Sequence, residues 1–393
     1  MKKILFVGDG LWTPSGFGTV MRNLISGLKS EYKVALQSWQ FVGNKTEFDG
    51  VSIYPSYLHL FGKDVLPYVI EDFEPDTMIT LGDYWMLNYL TAEPFRNKLR
   101  EKNIKWIWYI PIDSEMIPPH FMPLLKSPDV LVTMAKFAHE MAKKEGINNV
   151  YIPHGVDLSL YRRESDEERE KCREEEGYNG KFVIGCVNRN QDRKQLPRLV
   201  EAFAKFAKDK DDVILHFHCD PYDVANLAAG YNNDSYPLLV NAIGHFGVAE
   251  KVHFSRQMRS FINGANFDEM RKIYNLFNIT ASSTSGEGFG LSTIESIACG
   301  VPIVITDYTS SKELVLNGGN NNGLLVDVKT CMFGGYGTMR AIVDIDDMVA
   351  KFQYLYDHPE EVKKMSDNCL NFAKQYAWSK IIPMWKEVIE DEK

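Results

Sequence analysis

The chain has 393 residues, with 44 basic against 53 acidic side chains, a formal net charge of −9, and 45% hydrophobic and 12% aromatic content. That length suits about two to three domains with sizeable cores, and the apolar and aromatic share excludes a disordered chain. General nucleic-acid binding is disfavoured, because it needs a field of positive charge to displace counterions. Cys172, Cys186, Cys219, Cys299, Cys331 and Cys369 are scattered, with no Cys-x-x-Cys pair and no histidine at metal spacing. Neither a zinc site nor a disulfide framework is indicated.

The start, MKKILFVGDG, has the lysines and apolar run of a signal peptide, but Gly8-Asp9-Gly10 ends the run too early for an h-region. No stretch approaches the ~20 apolar residues of a membrane span, and a cytoplasmic, reduced protein is expected. Short β-branched or aromatic runs then alternate with helical patterns, as in a parallel sheet covered by helices. Strands are predicted at Lys3–Val7, Val34–Trp39, Val51–Tyr54, Thr77–Leu81, Trp106–Ile110, Val130–Thr133 and Val150–Ile152, with helices including Phe17–Leu28 and Lys136–Lys144. After Ile152-Pro153-His154-Gly155-Val156-Asp157 and a charged segment, Arg162–Glu176, a second series begins. Its strands are Phe182–Val187, Val213–His218, Val252–Ser255, Ile279–Ser282, Ile303–Thr306 and Leu324–Val326. Its helices are Leu196–Lys208, Tyr236–Phe246, Phe267–Phe277, Leu291–Cys299 and Ser310–Leu316.

The stretch between Leu325 and Ile345, with CMFGGYGTMR at its centre, reads as a long mobile loop. From Asp346 to Lys393 the pattern is helical, broken by Pro359 and Pro383, with Trp378 and Trp385 placed to pack on a domain surface. The expected class is α/β, two Rossmann-like domains in tandem. The N-terminal domain covers 1–155, the C-terminal domain 156–375, and a final helix 376–393.

In an open α/β sheet ligands bind beyond the carboxyl ends of the strands, and here the informative residues follow strands. After strand Ile279–Ser282, a loop carrying Gly286, Gly288 and Gly290 opens a helix ended by Gly300 and Pro302. Those glycines let backbone N–H groups approach a ligand at the positive end of a helix. Glu287 precedes the helix and Glu295 lies inside it, seven residues between them. One carboxylate then faces the loop's ligand while the other reaches deeper along it. Taken alone, Glu287 also reads as a solvated residue at a helix start.

A second loop, Asn188 to Lys194, places a fork donor (Arg189) and a point charge (Lys194) where a diphosphate would be gripped. By itself it reads equally as a solvated basic loop. A third, Gly10–Gly18, follows the first strand, with Gly16 and Gly18 opening a helix. A nicotinamide-dinucleotide site is disfavoured there: no G-x-G-x-x-G follows the strand, and Gln37 and Ser38 close strand two where an acidic ribose ligand is expected. His154 reads as a structural hydrogen-bonder at a domain junction. His216 and His218, on one face of a strand before Asp220-Pro221, read as structural or near a nucleotide, not as metal ligands.

Together these segments resemble the retaining nucleotide-sugar glycosyltransferases of family 4, which share the GT-B fold with glycogen and sucrose synthases. The resemblance runs through the E-x7-E element from Glu287 to Glu295 and on to Gly300-Val-Pro. It extends to Arg189, Lys194, the Ile-Pro-His-Gly-Val-Asp at 152–157, Glu313-Leu-Val, and Gly323-Leu-Leu-Val-Asp. It implies two Rossmann-like domains facing across a cleft, with the C-terminal helix crossing back. It places Glu295 on the donor ribose, Glu287 near the donor sugar, and the N–H groups of Phe289, Gly290 and Leu291, beside Gly288, around sugar and phosphate. Arg189 and Lys194 would hold the diphosphate, which Gly16 and Gly18 approach from the first domain. The family's histidine after a central N-terminal strand is missing from Tyr109-Ile-Pro-Ile-Asp113-Ser-Glu115, and Asp113 is its best substitute.

The implied activity is retaining transfer of a hexose from a UDP- or GDP-sugar to an acceptor hydroxyl, with no metal and no cofactor. The alternatives are a nucleotide-sugar epimerase of the same architecture and a non-catalytic nucleotide-sugar binder. Glycan, lipid, protein and small-molecule acceptors stay open, with modified nucleic acid behind them. A lipid acceptor would imply peripheral membrane contact through a basic run such as Lys98, Arg100, Lys102 and Lys105, though a solvated helix end explains that run too. Closure of the two domains is expected about Pro153–Asp157, with Gly155 absorbing the change in φ.

Overall fold

The computed structural model describes residues 1–223, 235–256 and 264–391. The chain divides into two compact units. One comprises Met1–Ile112, Met116–Gly155 and Trp378–Lys393; the other comprises Asp113–Glu115 and Val156–Ala377. Residues 113–115, within the stretch expected to form the N-terminal domain, thus belong to the second unit.

The first unit's sheet contains β1 (Lys3–Gly8), β2 (Lys33–Ser38), β3 (Thr46–Phe48), β4 (Val51–Tyr54), β5 (Thr77–Leu81), β6 (Lys105–Ile110), β7 (Val130–Thr133) and β8 (Val150–Tyr151). Their order is β3-β4-β2-β1-β5-β6-β7-β8, parallel except for β3 against β4. β3 has no counterpart among the predicted strands, because its three exposed residues, Thr46, Glu47 and Phe48, are too few to show a strand pattern. The central strands are near-continuous apolar runs, as strands covered on both faces must be. Every residue of β6 is buried. Trp106 and Trp108 stack with centroids 5.6 Å apart, and their indole N–H groups donate to Thr80 Oγ1 and the Gly82 carbonyl, both at 3.0 Å. These bonds let two large side chains enter the core without an unpaired donor.

The C-terminal helix Trp378–Glu390 packs in this unit. Trp385 is fully buried with its ring 4.9 Å from that of Tyr109, and Lys105 Nζ donates to the carbonyls of Val388 and Asp391. Pro383 lies inside this helix instead of breaking it. The interruption falls earlier, where the Tyr376 carbonyl accepts from Val156 N at 2.8 Å within the second unit. Pro359 does begin a new helix, Pro359–Ala373.

The second unit's sheet is all parallel: β9 (Phe182–Val187), β10 (Val213–His218), β11 (Val252–Phe254), β12 (Ile279–Ser282), β13 (Ile303–Thr306) and β14 (Gly323–Val326). Their order, β11-β10-β9-β12-β13-β14, reverses direction between β9 and β12. The crevice at such a reversal is where this class of sheet takes its ligand. The charged segment 162–176 contributes the helix Asp166–Glu176, which has no buried residue. A Ser165–Glu168 capping box starts it, and Gly177 at φ 75° ends it. Arginines hold it down: Arg169 donates to the carbonyls of Asn275 and Phe277, and Arg173 to those of Leu276 and Lys181.

The stretch expected to be a mobile loop between Leu325 and Ile345 is largely an antiparallel hairpin, β15 (Val328–Phe333) and β16 (Met339–Val343). Its glycines form the turn, with Tyr336 at φ 59° and Gly337 at φ 71°, and Gly334 N donates to the Thr338 carbonyl at 2.8 Å. Ala341 and Val343 alternate into the core, a signal too short to outweigh the glycines in the sequence.

Candidate active site

Loops that leave β9, β12 and β13 at their carboxyl ends build the centre of the second unit. Lys194 ends a 3₁₀ turn, Asp192–Lys194, and forms an ion pair with Glu287 in the loop after β12. The two side chains are only 8% and 12% exposed. Burial and the neighbouring Arg193 push the Lys194 ammonium down to about 8, against the pull of Glu287. Burial alone would raise Glu287, but Lys194 and Arg193 outweigh it and hold the carboxyl below its usual range. Arg193 Nη1 lies 3.7 Å from Glu287 Oε2 and donates to the Gly286 carbonyl at 3.2 Å.

The Glu287 loop is fixed from β13. Thr309 Oγ1 accepts from Glu287 N at 2.9 Å and donates to the Glu287 carbonyl at 3.0 Å. Ser310 Oγ donates to the carbonyls of Glu287 and Phe289. Thr309 holds φ at 51°, a strained value for a β-branched residue that costs about 1–3 kcal/mol. Phe289 is a buried anchor, its ring 5.9 Å from that of Tyr376. Gly290, at φ 100°, caps the helix Leu291–Ala298, whose positive end therefore opens at Gly288–Leu291. Further along this helix, Glu295 accepts from Tyr274 at 2.8 Å. Burial pushes its carboxyl up to about 7, against hydrogen bonds from Tyr274 and Tyr161.

Arg189 is half exposed and directs Nε and Nη2 to Asp223 Oδ1, at 3.0 and 2.6 Å. Asp223 is buried, and burial raises its carboxyl despite the arginine. Asp113 Oδ2 meets Arg340 Nη1 at 2.9 Å, and the same nitrogen donates to the Asp113 carbonyl at 3.0 Å. The charge on Asp113 also acts on Lys194. The second unit thus brings together Lys194 and Glu287, with Asp113 against the adjoining Gly286 and Gly288–Leu291 following in the same loop, while Arg189 is turned to Asp223 and Glu295 to Tyr274.

Sequence reasoning missed Arg193, Thr309, Asp223 and Arg340. Arg193 adjoins Lys194, Thr309 follows a strand and Asp223 lies just past Asp220-Pro221, so position could have found them. Arg340 is brought in by the hairpin, and nothing in its neighbourhood in the sequence marks it.

In the first unit, Ser15 caps the helix Gly16–Leu28 by accepting from Gly18 N at 2.9 Å and also bonds Asp9. Gln40 bridges Asp9, Gly10 and Thr13. Gly16 is the exposed first residue of that helix. Gly18 is buried, and a Cβ there would lie 2.4 Å from the Thr13 carbonyl, so loop closure is what requires it.

His154 is buried with Nδ1 2.6 Å from the Tyr109 hydroxyl, and burial drives its imidazole down to about 3. Gly155 is not at positive φ; a Cβ there would lie 2.3 Å from the Trp378 ring, so close approach explains the glycine better than a hinge. His216 bonds Tyr178 and Ser255, and His218 bonds Ser255. Among the described residues no group of three His, Cys, Asp or Glu is placed to hold a metal ion, and no helix is long and apolar enough to cross a membrane. The basic run considered for membrane contact is engaged by local partners, two carboxylates against its four cations. Lys98 and Lys102 pair with Glu71, Arg100 with Glu93, and the Lys105 ammonium is turned to backbone carbonyls.

Residues 167–331 match the family model described as glycosyl transferases group 1. The chain is 27% identical over 235 residues to the lipopolysaccharide core biosynthesis mannosyltransferase LpsB of Rhizobium meliloti, a match covering 59% of this chain. That match spans 57% of the relative, little more than half its length. Among solved structures, sucrose-phosphate synthase from Thermosynechococcus elongatus superposes with a TM-score of 0.76 at 14% identity, covering 99% of this chain and 98% of the other. Anabaena Alr3699/HepE in complex with UDP and glucose gives 0.73 at 15% identity, covering 99% of each chain. The structural likeness shows the fold, the GT-B architecture of two Rossmann-like domains, and the family match and relatives support a transferase enzyme.

Proposed function

We propose that the chain is a retaining glycosyltransferase that moves a hexose from a nucleoside diphosphate sugar to an acceptor hydroxyl. The observation that carries this reading is the buried Lys194–Glu287 pair at the β9–β12 reversal, in the loop that leads into helix Leu291–Ala298. As the bond between the sugar's C1 and the diphosphate oxygen breaks, negative charge grows on the departing phosphate. Fixed cations and a helix N-terminus lower that barrier without reorganising. The acceptor oxygen bonds C1 on the same face, and its proton passes to the departing phosphate, so no separate carboxylate–histidine base is required. Glu287 lies next to the donor sugar and Glu295 binds the ribose hydroxyls. UDP is the first donor nucleotide to test, since Alr3699/HepE was solved with it; GDP-sugars come second.

Incubation with UDP- and GDP-sugars and pooled glycan, lipid, protein and small-molecule acceptors tests the proposal. Acceptor-dependent release of UDP or GDP is expected. Sugar isomerisation without release would establish the epimerase instead, and binding with neither reaction would establish a non-catalytic binder.

A further inference from the structure

The hairpin β15–β16 belongs to neither of the two large sheets, yet three consecutive residues of β16 tie together the loops of the candidate site. Met339 N donates to Ser114 Oγ at 2.9 Å, while the Met339 carbonyl accepts from the Tyr308 hydroxyl at 2.9 Å. Ala341 N donates to the Ser285 carbonyl at 3.2 Å, and the Ala341 carbonyl accepts from Gln195 Nε2 at 2.7 Å. Ser285 lies two residues before Glu287, Gln195 directly follows Lys194, and Tyr308 precedes the Thr309–Ser310 clamp. Arg340 stands between these anchor points with its side chain 14% exposed, its stem against Gly334 and its guanidinium on Asp113 Oδ2 and the Asp113 backbone carbonyl. A Cβ at Gly286 would lie 2.1 Å from the Asp113 carbonyl oxygen and 3.2 Å from Arg340 Nη1.

We infer that Arg340 is a positioning residue: it holds Asp113 against the Gly286–Glu287 loop and so sets both carboxylates at the reacting sugar. This rests on the transferase reading above. Both contacts come from the one nitrogen Nη1, whose two N–H donors are held in the plane of the guanidinium, whereas an ammonium's donors rotate freely. The burial of the contact and the glycine opposite it argue for a fixed geometry over a solvated ion pair. Displacements of about 1 Å at such a site cost up to about 10²-fold in rate.

The test compares R340M, R340K, D113N and R340M/D113N by UDP affinity, melting temperature, hydrogen exchange, and nucleotide release from UDP-glucose, UDP-N-acetylglucosamine and GDP-mannose in the presence of the pooled acceptors. For R340M, turnover should fall about 10²-fold while UDP affinity stays within about threefold, since the group acts on the sugar side. R340K should recover part of the loss, and the double variant should be no worse than the poorer single one. Amide protection at 113–115 and 285–287 should be lost in R340M. Unchanged protection overturns the inference whatever the turnover, as do wild-type turnover, independent losses in the double variant, or UDP affinity and melting temperature falling in step with rate. If the wild type releases nucleotide from no donor, the transferase reading fails, and the exchange measurement still decides the role of Arg340.

Discussion

Lys194 and Glu287 stand 93 residues apart in the chain, yet they meet as a buried ion pair between the loops that leave β9 and β12. Breaking such a pair strands a charge in a poorly solvated place, while replacing both partners by neutral groups need not. Lys194→Ala should therefore cost about 3 kcal/mol in stability, the low end for a buried pair because Arg193 stays near Glu287. Lys194→Met with Glu287→Gln should recover most of it. Turnover should fall about 10²–10³-fold in Lys194→Ala, more than donor affinity falls, and should not return in the double variant. Wild-type turnover in Lys194→Ala would remove the residue from the site.

The same burial gives the reaction an alkaline limit. Lys194 ionises near 8 instead of its ordinary 10.5, so its cation is lost as the pH rises through that value. The donor kcat/KM, which reports the free enzyme, should fall above about pH 8. Lys194→Arg should move that limb beyond pH 10, because arginine stays protonated there. A flat profile to pH 10 in the wild type would contradict this assignment.

The strands were legible because both faces of each sheet are covered, which turns strands such as β6 and β9 into near-continuous apolar runs. The loops of the candidate site were legible because sheet topology places ligands at strand ends; each of Arg189, Lys194 and Glu287 alone also fitted a solvated loop, and only their combination and the family resemblance singled them out. What was illegible depends on distant segments meeting. Arg340 reaches Asp113 across 227 residues, and Asp223 reaches Arg189 across 34 residues. Neither residue lies in a patterned segment. The hairpin was hidden by Gly334, Gly335 and Gly337, which announce a turn and flexibility in the same letters. Pro383 misled for a related reason: packing of Trp385 and Ile389 holds the helix through a residue that lacks its own N–H.

The proposed use of fixed charge predicts metal independence. If Arg189, Lys194 and the helix start stabilise the departing diphosphate, a divalent ion has no necessary part in the reaction. Activity should survive exhaustive chelation with EDTA and gain little from added magnesium or manganese. Loss on chelation, reversed by either ion, would place the chain in another class of transferase.

Glu295 supplies the acid side. Burial raises its carboxyl from 4.5 to about 7 in the folded chain, against hydrogen bonds from Tyr274 and Tyr161. The unfolded chain releases this proton near 4.5 and the folded chain near 7. Between those values the folded state binds more protons, so stability falls as the pH rises from about 4.5 to 7 and then levels off. Glu295→Gln should remove that slope, which is worth at most about 1.4 kcal/mol per pH unit for one proton. Ribose hydroxyls donate best to an ionised carboxylate, so donor KM should drop as the pH passes upward through 7 in the wild type. In Glu295→Gln, KM should be higher and insensitive to pH over the same range, with kcat changed less, because ribose contacts alter little as the sugar is transferred. Equal donor KM for both proteins at pH 8 would take Glu295 away from the ribose.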